Sequence, residues 1–365
     1  MLTKADDYPI HQTADPIAYA GTDRNFYDRF FFNGYNADGS LFFAAAFGVY
    51  PHHGIMDGSL CFVIDGVQHS VFASRTFHME RMEIHAGPIS VEIVEPLVKN
   101  RFRVAPNEHG LSCDLLFTCR TVPMEEPRFN YRVGPRTFMD LTRLTQHGTW
   151  EGWIELDGKR TEIGAGWRGT RDRSWGVRPI GPSEPPRDDA PPFQFYWQWA
   201  PLNFDDVGIL FDINEFSDGR QWHSNGVVAP VGTGPAEPMR GVAQTIRFKP
   251  GTRHAAASTI TLSPWRGEPY VIELEPMWNF YMLGIGYGHP QWAHGTYRGA
   301  NAVGGDRLVL ATVDERLPQY QHIQAISRVK MTGDGKVRHG VGVLEQLIIG
   351  PHEPSGFTDM LDMAR

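Results

Sequence analysis

The strongest constraint on the fold is an alternation of apolar and polar residues with a period of two, which recurs along most of the chain. Runs of this kind cover residues 41–50, 59–64, 89–94 and 110–118 in the first half, and 207–213, 244–248, 258–262, 270–274 and 307–313 in the second. This period is typical of β-strands that are buried on one face. Asp-Gly pairs lie between such runs at Asp38-Gly39, Asp57-Gly58, Asp65-Gly66, Asp157-Gly158, Asp218-Gly219 and Asp334-Gly335. Because these two residues tolerate the positive φ of tight turns, the pattern predicts hairpins and an all-β protein built from barrels or sandwiches.

Composition excludes several classes of function. Among the 365 residues, the formal net charge of −8 comes without a basic run, so we do not expect a nucleic-acid partner. The three cysteines form no CxxC pair, which indicates a reduced, cytoplasmic protein. The N-terminal residues are acidic where a signal peptide would be apolar, and no stretch reaches the roughly 20 apolar residues of a membrane span. Peripheral contact with a membrane stays open, as does the oligomeric state.

Residues 181–192 form a candidate linker, because five of these twelve residues are proline and proline cannot occupy a central strand. This segment divides the chain into two β-rich parts of similar length. We therefore predict two domains, an N-terminal barrel over residues 1–180 and a C-terminal barrel over residues 193–365.

Asp172 is the first candidate for a catalytic group, since it stands between Arg171 and Arg173 in an aromatic neighbourhood. On a strand, Asp172 would share a face with Ser174, whereas the two arginines would share the other face with Trp175. One interpretation is that Asp172 enters a cavity as a general acid whose pKa a neighbouring arginine sets. The alternative is a buried ion pair that ties two domains together.

A second group of candidates is aromatic. Alternation places Tyr196 on one face of a strand and Trp197 and Trp199 on the other, and Trp222 and His223 follow downstream. Aromatic walls bind apolar ligands and stabilise cations through the ring quadrupole. A core filled with large side chains would produce the same pattern, and His223 would then be a core residue instead of a base.

Residues 277–295 are rich in aromatic residues, Met and Gly, and include Tyr281. They could line a hydrophobic pocket with His289 or His294 at its mouth, or form two packed strands and a turn.

No metal site and no cofactor are expected from the motifs. The histidines between residues 52 and 85 match no HExxH motif, and the cysteines have no zinc spacing. The chain has no GxxxxGK[ST] loop, no GxGxxG followed by a helix and no GxSxG elbow, so neither nucleotide binding nor the α/β-hydrolase mechanism is supported.

The block GTRDRSWG at residues 169–176, with TWEG at 149–152 before it and the aromatic residues 196–199 after it, resembles the carotenoid 1,2-hydratase (hydroxyneurosporene synthase)/AttH-like group. That resemblance implies a lipocalin-like fold of two consecutive antiparallel barrels. It also implies a cofactor-free cavity protein that acts on an apolar, isoprenoid-like molecule.

The activity that the resemblance implies is a lyase or isomerase, most concretely a hydratase or a cyclase. In a hydratase of this kind, a carboxylic acid protonates an alkene, a cation forms beside aromatic rings, and water captures it. The site residues would be Asp172 and Arg171 with His223 as a partner base, and Trp175, Tyr196, Trp197, Trp199, Trp222 and Tyr281 around the substrate. The acid is not fixed by the resemblance, so Asp205, Asp206 and Asp212 remain candidates. A non-catalytic carrier of a hydrophobic ligand and a pericyclase remain as alternatives.

Overall fold

The computed structural model describes residues 2–182 and 193–365. Strands before residue 183 are β1 (Phe26–Tyr35), β2 (Phe42–Tyr50), β3 (Ile55–Ile64), β4 (Val67–Thr76), β5 (His85–Ala86), β6 (Ile89–Glu95), β7 (Lys99–Val104), β8 (Leu111–Cys119), β9 (Met124–Glu125), β10 (Phe129–Val133), β11 (Arg136–Leu156), β12 (Lys159–Ile163) and β13 (Arg168–Val177). Strands after residue 192 are β14 (Phe195–Asn203), β15 (Val207–Glu215), β16 (Gln221–Pro230), β17 (Glu237–Pro238), β18 (Gly241–Phe248), β19 (Ala255–Ser263), β20 (Tyr270–Tyr281), β21 (Asn301–Val309), β22 (Ile323–Gly333) and β23 (Lys336–Ile349). Short 3₁₀ helices cover Lys4–Asp7, Pro51–His53, Met282–Ile285, Leu310–Thr312, Pro318–Tyr320 and Glu353–Ser355. None of the helices in these ranges has the length and apolar character needed to cross a bilayer.

The strands form two antiparallel sheets. The first has the order β21-β4-β3-β2-β1-β13-β11-β8-β7-β6-β5, with β9, β10 and β12 also paired to β11. The second has the order β17-β16-β15-β14-β23-β22-β20-β19-β18. Each sheet curls until strands near its two edges meet, β5 against β3 and β4 in the first, and β18 against β16 in the second. The fold is therefore all-β and consists of two lipocalin-like barrels, which confirms the predicted fold class.

The Asp-Gly pairs explain most of the short hairpins. At Asp65-Gly66 and Asp334-Gly335, both residues have positive φ and join strands that pair directly, β3 with β4 and β22 with β23. Asp157-Gly158 does the same between β11 and β12. The predicted turn at Asp57-Gly58 was wrong, because these residues lie inside β3 and pair with β4.

Alternation along the strands divides the buried side chains among three cores. In β1, Phe30 and Phe32 point into the first barrel, whereas Tyr27 and Phe31 point towards the second sheet. In the same way, Trp199 of β14 packs between the sheets while its neighbours on the opposite face fill the second barrel. The sheets thus share an apolar layer, in which the Phe31 and Trp199 rings meet edge to face with centroids 5.9 Å apart.

Strand β21 comes from the C-terminal part of the sequence but belongs to the first sheet. It pairs along its length with β4, from Asn301 opposite Arg75 to Val309 opposite Val67. The two sheets thus do not divide the chain strictly at the predicted linker. Of that linker, residues 183–192 lie outside the described residues, and the boundaries 1–180 and 193–365 stay a prediction.

Candidate functional site

A cavity of about 230 Å³ lies between the two sheets. Its apolar lining is dominated by aromatic side chains, namely Phe31, Phe129, Phe138, Phe193, Phe195, Trp197 and Trp199. Its ionisable lining consists of Tyr27, Arg29, Arg143, Asp172, Arg178, Tyr287, His294, His322 and Glu345. Phe193 is 44% exposed and marks a side of the cavity near the surface. A cavity that is mostly aromatic, with a few converging charged groups, has the character of a small-molecule site.

Asp172 reaches the cavity because of the alternation in β13. The strand lies between β1 and β11, and its face towards the second sheet carries Asp172 and Ser174. The Asp172 carboxylate accepts no side-chain hydrogen bond within the described part of the chain. Burial raises the pKa of Asp172 to about 6, against the lowering effect of the guanidinium groups of Arg143 and Arg178. Such a carboxyl group can hold a proton near neutral pH and is free to deliver it to a ligand.

Glu345, from β23 of the other sheet, differs from Asp172 in that it is hydrogen-bonded and its pKa is lowered. Its Oε1 accepts a hydrogen bond from Trp197 Nε1 (2.9 Å) and is hydrogen-bonded to His322 Nε2 (2.9 Å). Its Oε2 accepts a hydrogen bond from Gln324 Nε2 (2.7 Å). Burial alone would raise the pKa of Glu345, but the contact with His322 and these hydrogen bonds lower it below the usual range. The cavity therefore combines a carboxyl group with a raised pKa, Asp172, and one with a lowered pKa, Glu345, a division typical of acid and base pairs.

Arg143 is held by a buried ionic network behind the aromatic wall. Its Nη2 lies 2.5 Å from Glu126 and 3.9 Å from Asp212, whose Oδ1 lies 2.5 Å from His223 Nε2. The Arg143 guanidinium also covers the Trp197 ring at 4.8 Å. We infer that this network fixes Arg143 against the cavity wall.

Glu126, Asp212 and His223 form the one cluster in residues 2–182 and 193–365 whose potential metal ligands all lie within 4.8 Å of one another. Arg143 already supplies a positive charge to this cluster, and burial raises the pKa of Glu126, so that a proton on this carboxyl would relieve the remaining negative charge. Ion pairs and hydrogen bonds thus join the three side chains to one another and to Arg143.

Two further arginines, Arg29 and Arg178, lie at a different part of the cavity wall, together with Tyr27, Tyr287 and His294. We call these five residues the arginine group. The guanidinium carbon atoms of Arg29 and Arg178 lie 5.0 Å and 5.7 Å from the centroid of the Tyr287 ring. Arg178 also covers the Tyr27 ring at 4.4 Å. Burial and the two arginines lower the pKa of His294 far below its usual value, so this imidazole is neutral. The arginine group is therefore strongly positive.

Of the residues singled out from the sequence, four line the cavity: Asp172, Trp197, Trp199 and His294. Arg171 lies on the opposite face of β13, where its Nε donates to Gln146 Oε1 (3.0 Å). Arg173, on that same face, pairs with Asp28 and covers the Phe30 ring. The arginines that act on Asp172 through space are Arg143 of β11, Arg29 of β1 and Arg178, which directly follows β13.

The remaining candidates lie around the cavity instead of in its lining. Trp175 is 38% exposed, and Tyr196 stacks on His352 in the second barrel. Tyr281 belongs to the second barrel core. Trp222 stacks on Tyr131.

His223 is buried and takes part in the site only indirectly. It bonds to Asp212 and stacks on Phe129 with ring centroids 3.6 Å apart, and Phe129 lines the cavity. Of the other candidate acids, Asp205 has a side chain that is 95% exposed, and Asp206 pairs with Arg338. None of Asp205, Asp206 and Asp212 lines the cavity.

Sequence reasoning missed Glu345, Arg29 and Arg143. These residues come from three separate strands, so no local motif joins them. Glu345 is nevertheless the one charged residue in residues 341–349, a run that is apolar apart from its neighbour Gln346. A lone charge inside a strongly apolar strand is a signal for a buried functional group, because an unpaired charge is costly to bury.

Solved structures with the same architecture agree with the fold described above. A protein from Nitrosomonas europaea assigned as AttH matches over 93% of this chain and 98% of its own, with 13% identity and a TM-score of 0.53. CghA, in a structure with Sch210972, matches over 89% of both chains with 10% identity and a TM-score of 0.51. Kievitone hydratase from Nectria haematococca covers 88% of each chain at 11% identity, but its TM-score of 0.43 is too low to bear on this protein. At these identities the likeness concerns the fold alone, and it defines the class as proteins of two lipocalin-like barrels.

Within that class, residues 2–358 match the model described as a family of unknown function (DUF8625), and the chain belongs to this family. No curated protein is similar to it in sequence at a significant level.

Proposed function

We propose that this protein is a cofactor-independent lyase or isomerase that acts on a hydrophobic, isoprenoid-like molecule, related to the carotenoid 1,2-hydratase/AttH-like group. The reaction is acid-catalysed addition or removal of water at a double bond, or cyclisation. The observation that carries this proposal is the Asp172 carboxyl, which borders an aromatic cavity, has no hydrogen-bond partner among the described residues and has a raised pKa of about 6. A carrier needs no such inward acid, since an ionisable group in an apolar cavity weakens the binding of an apolar ligand.

In the hydration direction, protonated Asp172 gives its proton to one carbon of the double bond. A new C–H bond forms from the π electrons, and positive charge develops on the other carbon. The Trp197 and Trp199 rings and ionised Glu345 lie in the same cavity and stabilise that charge.

Water then adds to the electron-poor carbon and loses one proton. Either Glu345 or the Asp172 carboxylate accepts that proton, and its return to Asp172 restores the starting state. Dehydration is the reverse sequence. In cyclisation a second double bond attacks in place of water, and the resulting cyclic cation loses a proton to the Asp172 carboxylate, which forms a new double bond. The structure of CghA with Sch210972 supports the idea that this architecture accommodates an organic small molecule.

The test is to incubate the full chain with a panel of isoprenoid alkenes and alcohols and to separate the products by chromatography and mass spectrometry. We expect a product that differs from its substrate by one water, or an isomer with a new retention time. Asp172→Asn should lower turnover by about 10²–10⁴-fold, the usual contribution of a general acid.

Asp205→Asn is the matched control, because this aspartate is almost fully exposed and should leave turnover unchanged. Unchanged turnover in a folded Asp172→Asn variant would remove Asp172 from the mechanism and favour a pericyclase. Recovery of every compound unaltered, with tight binding of some, would favour a carrier.

A further inference from the structure

The arginine group contains two cations, Arg29, which is buried, and Arg178, which is half-buried. Among the residues that the structure describes, neither is paired with a carboxylate. Within the described residues, Arg29 donates to the Tyr50 hydroxyl (3.0 Å) and to the Ile285 carbonyl (3.5 Å). Arg178 donates to the Tyr287 hydroxyl (3.4 Å). All three acceptors are uncharged, whereas a buried guanidinium is normally paired with a carboxylate.

The arginine group also contains buried nitrogen atoms that have no hydrogen-bond partner within the described residues. In the described part of the chain, Nε of Arg29, Nε of Arg178 and Nδ1 of His294 are buried and have no partner. All three side chains line the cavity. Since most buried polar atoms in proteins are hydrogen-bonded, this concentration indicates that something with acceptor atoms belongs here.

Arg143, the third arginine in the cavity lining, provides a contrast, because it pairs with Glu126. Asp57 lies beyond Tyr50, but its carboxylate accepts a hydrogen bond from the Gly295 backbone (2.6 Å) and does not line the cavity.

From these observations we infer that the arginine group binds an acidic head of the substrate, a carboxylate or an ionised enol or phenol. The substrate of the proposed reaction, on which this inference rests, is then an apolar molecule with one anionic end, and not an uncharged hydrocarbon. The Tyr287 ring contacts both guanidinium groups and holds them in place, and the neutral His294 adds a hydrogen-bonding group without adding charge.

The geometry also relates the head to the reacting acid. Arg178 and Arg29 both act on the Asp172 carboxyl through space, so the arginine group and Asp172 lie within electrostatic range of each other. A head bound by the arginines would fix the apolar body against Trp197 and Phe129, with Asp172 beside it. An uncharged ligand would instead leave two guanidinium groups facing hydrocarbon, which is costly.

The experiment uses two fluorescent probes with the same apolar skeleton, anilinonaphthalene sulfonate, which carries one negative charge, and phenylnaphthylamine, which carries none. Both are titrated against the full-length protein. We expect the wild type to bind the sulfonate tighter than the amine by about 10- to 100-fold, the range for a hydrogen-bonded charge pair.

Arg178→Met and Arg29→Met should each reduce that preference by about tenfold or more while the affinity for the uncharged probe changes little. Arg178→Lys, which keeps the charge, should retain part of the preference. Arg328→Met is the control, because the Arg328 side chain is 68% exposed on the second sheet and does not line the cavity. Circular dichroism verifies that each variant is folded.

Equal affinity of the wild type for both probes would overturn the inference, as would sulfonate binding that neither arginine variant changes. Equal weakening of both probes in a folded Arg178→Met variant would show that this residue shapes the cavity only, and would also overturn it. These outcomes are independent of catalysis: a charge preference combined with full turnover of Asp172→Asn would contradict the proposed function alone.

Discussion

At the scale of single residues, the site depends on two carboxyl groups, Asp172 and Glu345, whose surroundings shift their pKa values in opposite directions. Asp172 has no hydrogen-bond partner in the described residues and borders an aromatic cavity, so burial raises its pKa and favours its protonated form up to pH about 6. Glu345 accepts three hydrogen bonds, so its ionised form is favoured. Chemically similar side chains are thus prepared for opposite roles by their partners.

The first prediction concerns the pH dependence of the reaction. Because Asp172 must carry its proton to act as the acid, kcat/KM should fall above pH about 6, by about tenfold per pH unit. The measurement is kcat/KM of the wild type between about pH 5 and pH 8. Asp205→Asn should show the same profile, and a flat profile over this range would exclude protonated Asp172 as the essential acid.

The second prediction concerns stability. The Asp172 pKa rises from 3.8 in the unfolded chain to about 6 in the folded protein. The folded state therefore binds more protons between these values, stability decreases as the pH rises through this window, and the loss persists above pH 6. Asp172→Asn removes this penalty and should increase the free energy of unfolding at pH 8 by on the order of 2 kcal/mol.

Urea unfolding at about pH 4 and pH 8 measures this difference, which should be much smaller at the lower pH, where wild-type Asp172 is mostly protonated. A variant that loses stability at pH 8 would show that the Asp172 carboxylate is stabilised by the nearby arginines instead of destabilised by burial.

Part of this site could be predicted from the sequence, because strand alternation is a local property. Asp172, Trp197 and Trp199 stand in short, unusual segments, and alternation alone assigns each of them to a face. Glu345 and Arg143 could not be placed beside them, because their proximity depends on how two sheets meet over a long sequence separation. Only the packing of the sheets brings these groups together.

At the scale of strands, a row of glycines crosses the first sheet. Gly34 of β1, Gly169 of β13 and Gly148 of β11 lie side by side. A Cβ atom at Gly34 or Gly148 would lie 2.3 Å from the ring of Phe43 or Phe117. The row thus leaves room for aromatic rings that fill the first barrel. It also explains why the GTRDRSWG block of residues 169–176 begins with glycine.

The third prediction tests this row. A Cβ atom at Gly169 would lie 2.0 Å from the backbone oxygen of Asn33, which cannot move without disrupting β1. Gly169→Ala should therefore reduce the free energy of unfolding by about 3 kcal/mol or more, as measured by urea unfolding. Gly164→Ala is the matched control, since no atom lies within 4 Å of its Cβ position, and it should change stability by less than about 0.5 kcal/mol. Equal effects of the two substitutions would contradict a close approach at Gly169.

Strands and turns were the part of the fold most open to prediction. The period of two reflects burial on one face, a local property, and Asp-Gly marks turns because both residues accept positive φ. The error at Asp57-Gly58 has a structural reason: Gly58 lies inside β3, where a Cβ atom would meet Ile89 at 2.9 Å. A glycine that makes room for a neighbour cannot be distinguished locally from one that makes a turn.

At the scale of the whole molecule, the apolar layer between the sheets joins the two barrels. Phe42 of the first sheet meets Phe280 of the second, with ring centroids 4.9 Å apart. The Asn33 side chain donates to Gln324 Oε1 across the same layer (3.2 Å). The cavity lies in this layer, so its shape requires both barrels.

The last prediction follows from this layer and from β21. A fragment of residues 1–182 would lack the strand that covers the β4 edge and would expose the large side chains of Phe31 and Phe42 to water. An open strand edge beside an exposed apolar face favours aggregation. We therefore expect this fragment to aggregate or to lack fixed tertiary structure, and the full chain to unfold in one transition by calorimetry and near-UV circular dichroism. A monomeric fragment with its own sharp transition, or two separate transitions in the full chain, would show that the first barrel is an independent folding unit and that the cavity is built where two autonomous domains dock.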